Sequence, residues 1–122
     1  MCYTQQMRRE RVFFDQGVIR AELDDLPAKD ASKLTSLMEH YRTAGSDNPS
    51  PVMIDDYGGG IKRLRHIKPA YQGRLLFFTM DRTAAFERLV ALTIYKKQSQ
   101  DVPRNVLERA KSRKAQFERK GN

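Results

Sequence analysis

The chain contains little cysteine and no long apolar segment, and both absences restrict the class of protein. Cys2 is the single cysteine among 122 residues, which excludes a disulfide framework or a cysteine-rich zinc site within one chain. This usage is typical of the reducing cytoplasm, where we expect the protein to reside. No run approaches the ~18 apolar residues that a membrane span requires, and the initial sequence MCYTQQMRRER has no apolar signal segment. We therefore expect no membrane partner.

The sequence also lacks a recognisable metal or nucleotide motif. The paired carboxylates Asp24-Asp25 and Asp55-Asp56 have no partner ligands at a metal-site spacing. The triplet Gly58–Gly60 is not followed by the Lys-Ser/Thr of a P-loop and has no clear strand before it. We therefore expect no cofactor and a metal-independent mechanism.

Positive charge is abundant but unevenly distributed. Residues 1–60 contain 7 Lys/Arg and 10 Asp/Glu, a net charge of −3, whereas residues 61–122 contain 16 and 5, a net charge of +11. A lysine-rich solvated surface would explain an excess of positive charge that is spread evenly along the chain. Here the positive charge is concentrated in the second half, which favours an anion-binding face there. Nucleic acid is the first partner to consider.

Hydrophobic periodicity predicts one α+β domain over residues 1–122, after a loose start at 1–9. In the first half we expect a strand at 11–14 and then two helices. The first helix follows Asp15 and carries Val18, Ile19, Leu23 and Leu26 on one face. The second helix runs from about Asp30 to Ala44. The Pro- and Gly-rich residues 46–60 are predicted to be a linker.

The spacing of apolar residues changes in the second half of the chain. We expect a short strand at 61–67 and two continuous apolar strands, at 75–78 and 89–95, that form an antiparallel pair. Pro103 is predicted to open a basic helix that packs through Val106, Leu107, Ala110 and Phe117. Two N-terminal helices and one C-terminal helix would then pack on a small, mainly antiparallel sheet.

Three segments of the second half carry a family resemblance: Lys62–Arg65 as a basic strand, Tyr71–Arg74 before an apolar strand, and Ile94–Gln98 followed by Pro103, Ala110 and Arg113. These motifs and the order β-α-α-β-β-β-α resemble the RelE/HigB superfamily of toxins from type II toxin–antitoxin systems, in particular its phage-related HigB-like branch. The resemblance implies a RelE-like fold and a ribosome-dependent mRNA endoribonuclease. It also implies neutralisation by a cognate antitoxin, commonly a helix-turn-helix protein.

In this class the 2′-hydroxyl of the RNA attacks the neighbouring phosphorus, so the protein must orient the ribose, neutralise charge and move two protons. Arginine binds two phosphate oxygens at once, and Arg74 is our first candidate to hold the scissile phosphate. Arg65 and Lys62 are alternate positions on the neighbouring strand and share a face only if the spacing stays regular. The remaining candidates for contacts with RNA are Arg63, Tyr71, Tyr95, Lys97 and Arg113.

Candidates for proton transfer are few. His66 has an ordinary pKa in the useful range, although a lone histidine on a strand is more often structural. Lys96 is a candidate acid for the leaving 5′-oxygen, and alternation sends Lys96 and Lys97 to opposite faces. Tyr71 and Tyr95 could stack on a base or orient the 2′-hydroxyl.

Two other functions remain open on the sequence alone. A ParE-type relative with this fold would poison DNA gyrase and leave RNA intact, because fold does not determine function. A non-enzymatic basic module would bind RNA or DNA with steep salt dependence and no cleavage.

Overall fold

The structure is a computed structural model that describes residues 10–14, 18–44, 51–68, 70–82, 86–97 and 101–120. Its elements, in chain order, are β1 (Glu10–Phe14), α1 (Val18–Asp24), α2 (Ala28–Ala44), β2 (Val52–Asp56), β3 (Lys62–His66), β4 (Gly73–Arg82), β5 (Phe86–Lys96) and α3 (Arg104–Lys120).

The strands form one sheet in the order β1-β5-β4-β3-β2. Strands β2 to β5 are antiparallel to their neighbours, and β1 adds to β5 as a parallel edge strand. This α+β arrangement of three helices on a mainly antiparallel sheet is consistent with the RelE-like fold that the sequence resemblance implied.

The structure corrects the linker prediction for residues 46–60. Residues Val52–Asp56 form strand β2, which pairs with β3 along its whole length. The described chain therefore has four strands after α2 instead of three. The predicted start at 1–9, the Asp15 cap and residues 45–50 lie outside the described residues.

The helix predictions are confirmed with shifted ends. Helix α1 ends at Asp24, so Leu26 lies beyond it, although its side chain is buried in the same core. Helix α2 begins at Ala28, immediately after Pro27, where a proline lacking an N–H costs no intrahelical hydrogen bond.

The two faces of the sheet bury separate apolar clusters. On the face covered by α1 and α2, called the α2 face, Leu64, Leu75 and Phe77 pack against Leu34 and Leu37. On the opposite face, called the α3 face, the members are Ile61, Leu76, Phe78, Val90, Leu92, Tyr95, Val106 and Ala110, with Leu107 and Phe117 packed against them. Full burial of each large apolar side chain stabilises the fold by about 1.5–3 kcal/mol. The continuous apolar runs of β4 and β5 follow from this burial on both faces.

Candidate nucleic-acid interface

Three arginines from two adjacent strands lie on the α3 face of the sheet. The register pairs Leu64 with Leu75, and both leucines belong to the opposite face. Alternation therefore directs Arg63, Arg65 and Arg74 towards the α3 face. Together with Asp55, Tyr57 and Tyr95 they form a group that we call the arginine cluster.

Asp55 on β2 joins two of these arginines. Its Oδ2 atom accepts hydrogen bonds from Nε of Arg63 and from Nε of Arg65, both at 3.0 Å. Partial burial of the carboxyl group opposes ionisation, but the hydrogen bonds from Arg65 and Arg63 outweigh it and lower the pKa of Asp55. The carboxylate therefore stays ionised and fixes the two guanidinium groups side by side.

Arg63 also contacts Tyr95 on β5 and Tyr57 in the turn between β2 and β3. Its Nη1 donates to the Tyr95 hydroxyl at 3.4 Å, and its Cζ lies 5.2 Å from the centre of the Tyr57 ring. Burial alone would lower the pKa of Arg63, but the contacts with Tyr95 and Asp55 raise it. For Tyr57, burial raises the pKa of the phenol despite the nearby Arg63 charge. Both groups therefore keep their protons at neutral pH.

Arg74 is the most buried arginine of the cluster, with only 2% of its surface exposed. Its Nη1 donates to the carbonyl oxygens of Tyr71 at 2.7 Å and Gly73 at 3.1 Å. Its Nε is buried and has no hydrogen-bond acceptor among the residues that the structure describes. Burial and the neighbouring Arg63 charge lower the pKa of Arg74. A buried cation with an unsatisfied donor favours an anion nearby.

A β-bulge in β5 directs Tyr95 into this cluster. Leu76 pairs with Thr93 whereas Phe77 pairs with Ala91, so Leu92 is an additional residue on β5. Such an insertion shifts the alternation of all later residues by one position. Tyr95 consequently pairs with Arg74 and lies on the α3 face, where strict alternation from Val90 would have placed Ile94.

Several predicted site residues lie on the other face of the sheet. The expectation that regular spacing would place Lys62 on the same face as Arg65 is wrong. Lys62 and His66 differ from Arg65 by odd numbers of residues, so regular alternation separates both from the arginine cluster. The ring of His66 packs against that of Tyr71 at 4.7 Å, and its Nδ1 accepts a hydrogen bond from the Lys68 amide at 2.8 Å. Burial, with Lys33 and Lys68 nearby, lowers the pKa of His66.

The remaining predicted cations occupy other places in the fold. Lys96 is exposed and follows Tyr95 on β5, so it points away from the α3 face, and half-buried Lys97 donates its amide to the Gln72 carbonyl. The Arg113 Nη1 binds both oxygens of Glu22 at 3.0–3.1 Å and the Leu92 carbonyl at 2.8 Å. Arg113 thus links α3 to α1, and the structure does not bring these three residues into the arginine cluster.

Sequence reasoning missed Asp55 and Tyr57 because their segment was interpreted as a linker. The signal was present in Val52-Met53-Ile54 before a glycine turn and the basic strand, which is the pattern of a hairpin. Gly58, Gly59 and Gly60 all have positive φ values of 62–85° and form that turn. The hairpin brings the carboxylate opposite the arginines.

The described residues offer neither a metal-binding group nor a membrane-spanning helix. No group of three or more His, Cys, Asp or Glu side chains there is placed to hold a metal ion. None of the helices in those segments is long and apolar enough to cross a membrane.

Comparison with protein families identifies the family to which the chain belongs. Residues 21–115 match the family described as phage-derived protein Gp49-like (DUF891). The chain belongs to the Gp49-like family. This family consists of RelE/HigB-like, toxin-type proteins, so the Gp49-like protein is a toxin-like module, and such modules imply an antitoxin partner. No curated protein matched the chain.

Proposed function

We propose that this Gp49-like protein is the toxin of a type II toxin–antitoxin system and cleaves mRNA in a ribosome-dependent manner. The observation that carries the proposal is the arginine cluster, in which Arg63 and Arg65 share the Asp55 carboxylate and buried Arg74 lies on the same sheet face. The net positive field of this group suits a phosphodiester. Membership of a toxin-type family supports the same conclusion.

In the proposed reaction the 2′-hydroxyl oxygen attacks the adjacent phosphorus and the bond to the 5′-oxygen breaks. The products are a 2′,3′-cyclic phosphate and a free 5′-hydroxyl. Arg65 is the most exposed of the three arginines, with 22% of its side chain accessible against 10% for Arg63, so we assign it the first contact with the phosphate. Arg63 and Arg74 add positive charge behind it, which stabilises the phosphorane-like transition state.

The cluster also contains groups that can move the two protons. A phosphate that takes over the hydrogen bonds of Arg63 and Arg65 would free the Asp55 carboxylate to accept the proton of the 2′-hydroxyl. The Tyr95 hydroxyl, which contacts Arg63, would donate a proton to the leaving oxygen. The proposal does not use His66, because that residue belongs to the opposite face of the sheet.

The test is controlled expression of wild type, Arg65→Ala and Arg74→Ala, with mRNA 5′ ends mapped within minutes of induction. We expect growth arrest and codon-phased cuts for wild type, and loss of both for Arg65→Ala. Thermal unfolding of each variant separates loss of activity from loss of fold, which matters most for buried Arg74. Arg42→Ala is the control, because Arg42 forms an exposed ion pair with Glu39 on α2 and such pairs contribute little to stability.

The alternatives give different results in the same experiment. Growth arrest with DNA damage and no mRNA cuts would contradict the proposal and indicate a gyrase poison. RNA binding without 2′,3′-cyclic ends in purified ribosome complexes would indicate a non-enzymatic binding module.

A further inference from the structure

A cleft lies beside the arginine cluster, between the glycine turn of the β2–β3 hairpin and helix α3. Its volume is about 370 Å³, within the range of pockets that hold small ligands. The hairpin contributes Tyr57, Gly58 and Gly59, and α3 contributes Lys111 and Lys114. Neither the family match nor the proposed cleavage chemistry assigns a role to this cleft.

Tyr57 belongs to both the cleft and the arginine cluster. Its ring lines the cleft, and the Arg63 guanidinium carbon lies 5.2 Å from the ring centre. A nucleic-acid strand with one phosphate on the cluster would therefore have its neighbouring nucleotide at the mouth of the cleft. Unstacked bases of single-stranded RNA bind by stacking on such aromatic rings.

The rest of the lining offers polar recognition. A Cβ atom built on Gly58 or Gly59 would meet no heavy atom within 4 Å, so the space beside the turn is open to a base. The Gly58 N–H donates to Asp56 and the Gly58 carbonyl accepts from the Ile61 amide. Lys111 is exposed, whereas Lys114 donates to Glu118 at 2.9 Å. Aromatic, peptide and cationic groups at one cleft match the chemistry of a nucleotide.

We propose that this cleft binds the nucleotide next to the phosphate held by the arginine cluster, and so contributes to the sequence preference of the protein. This inference rests on the proposed function, because it requires single-stranded RNA at the cluster. The base stacks on Tyr57, the turn backbone contacts its edge, and Lys111 interacts with the following phosphate.

The test fills the cleft from the side of α3. Ala115 lines the cleft and is exposed, so Ala115→Trp places an indole there without disturbing the core. The matched control is Gln116→Trp, because Gln116 is the next exposed residue of the same helix and does not line the cleft. The probe is a 2′-O-methyl RNA trinucleotide, which cannot be cleaved, with its dissociation constant measured by calorimetry.

We expect Ala115→Trp to weaken trinucleotide binding roughly tenfold or more, the effect of losing one stacked base, and Gln116→Trp to bind as wild type does. Binding of inorganic phosphate, followed by the NMR signal of Arg65 Nε–H, should be unchanged in both. Lys111→Ala is the second variant if the tryptophan perturbs folding, and it should weaken trinucleotide binding alone.

If Ala115→Trp and Lys111→Ala both bind the trinucleotide with wild-type affinity, the inference is wrong. Arg65→Ala, measured in parallel, separates this result from failure of the proposed function. If Arg65→Ala loses affinity while the cleft variants keep it, the cluster binds RNA and the cleft does not. If all three bind as wild type does, both proposals are wrong.

Discussion

The Tyr95 hydroxyl accepts a hydrogen bond from Arg63 although the two residues belong to strands that are not neighbours. Arg63 lies on β3 and Tyr95 on β5, with β4 between them. The contact therefore crosses β4 between Leu76, which pairs with Arg63, and Arg74, which pairs with Tyr95. With Asp55 on β2, four strands thus contribute to the arginine cluster, and each contribution can be removed separately.

Removal of the Tyr95 hydroxyl should affect RNA cleavage more than folding. The 3.4 Å hydrogen bond is long, so Tyr95→Phe should cost about 0.5 kcal/mol of unfolding free energy. We expect the cleavage rate to fall roughly 100- to 1,000-fold, the range for loss of one acid or charge-stabilising group. Urea denaturation and single-turnover cleavage measure the two effects. Equal activity of Tyr95→Phe and wild type would remove Tyr95 from the proposed mechanism.

Asp55→Asn should destabilise the protein in a pH-dependent way. Asparagine keeps the shape but leaves two guanidinium groups without their shared negative charge, at a cost of about 1–2 kcal/mol at pH 7. Because the folded-state pKa of Asp55 is lowered, this stabilisation is present above the ordinary pKa of 3.8 and is lost as pH falls through the folded value.

The measurement is urea denaturation of wild type and Asp55→Asn at pH 7 and near pH 2.5. Asp56→Asn is the control, since the exposed Asp56 accepts the Gly58 amide in a turn that asparagine also forms. A difference between wild type and Asp55→Asn that persists unchanged in acid would contradict the role given to the carboxylate charge.

Gly59→Ala should destabilise the glycine turn by roughly 1–2 kcal/mol, the cost of a left-handed backbone for a residue with a Cβ atom. The cause is conformational, because Gly59 has a φ of +62° while an added Cβ would meet no neighbour within 4 Å. Gly59→Asn should be affected less, since asparagine tolerates this region. Thermal unfolding of the two variants tests the explanation, and equal losses would argue for a steric cause.

The pKa of His66 should lie below its ordinary value of 6.5, because the ring is buried and the positive charges of Lys33 and Lys68 are nearby. A lowered folded-state pKa means that His66 contributes stability above about pH 6.5 and loses it as the pH falls towards the folded value. NMR titration of the ring checks the direction. Lys33→Gln should raise the pKa of His66, whereas Lys111→Gln on α3 should not; no change in either variant would exclude the electrostatic cause.

The sequence alone predicted the helices and strands in which apolar residues follow a clear pattern. The antiparallel pairing of β4 with β5, both helices of the first half and the inward side of α3 all follow from apolar patterns that only burial explains. Regular alternation on β3 and β4 also places Arg65 and Arg74 on one face once their register is known. The register itself depends on tertiary packing and could not be derived.

Two features of the candidate site were missed from the sequence, for different reasons. Strand β2 is only five residues long and lies among prolines and glycines, so its turn-forming neighbours concealed Asp55. The additional residue Leu92 shifts β5 by one position, and a run of apolar side chains contains no alternation that would reveal it. Local sequence therefore could not specify which face receives Tyr95.

The position of β5 in the sheet has a consequence for protein synthesis. Strand β5 is the last strand to be made, yet it lies between β1 and β4, so β1 has no partner until residues 86–96 have emerged. At ~5–20 residues per second, the delay between completion of β1 and of β5 is roughly 4–16 seconds. During that time Tyr95 cannot meet Arg63. A nascent chain therefore carries no assembled arginine cluster, and any activity of the cluster begins only after the strand that completes it has left its own ribosome.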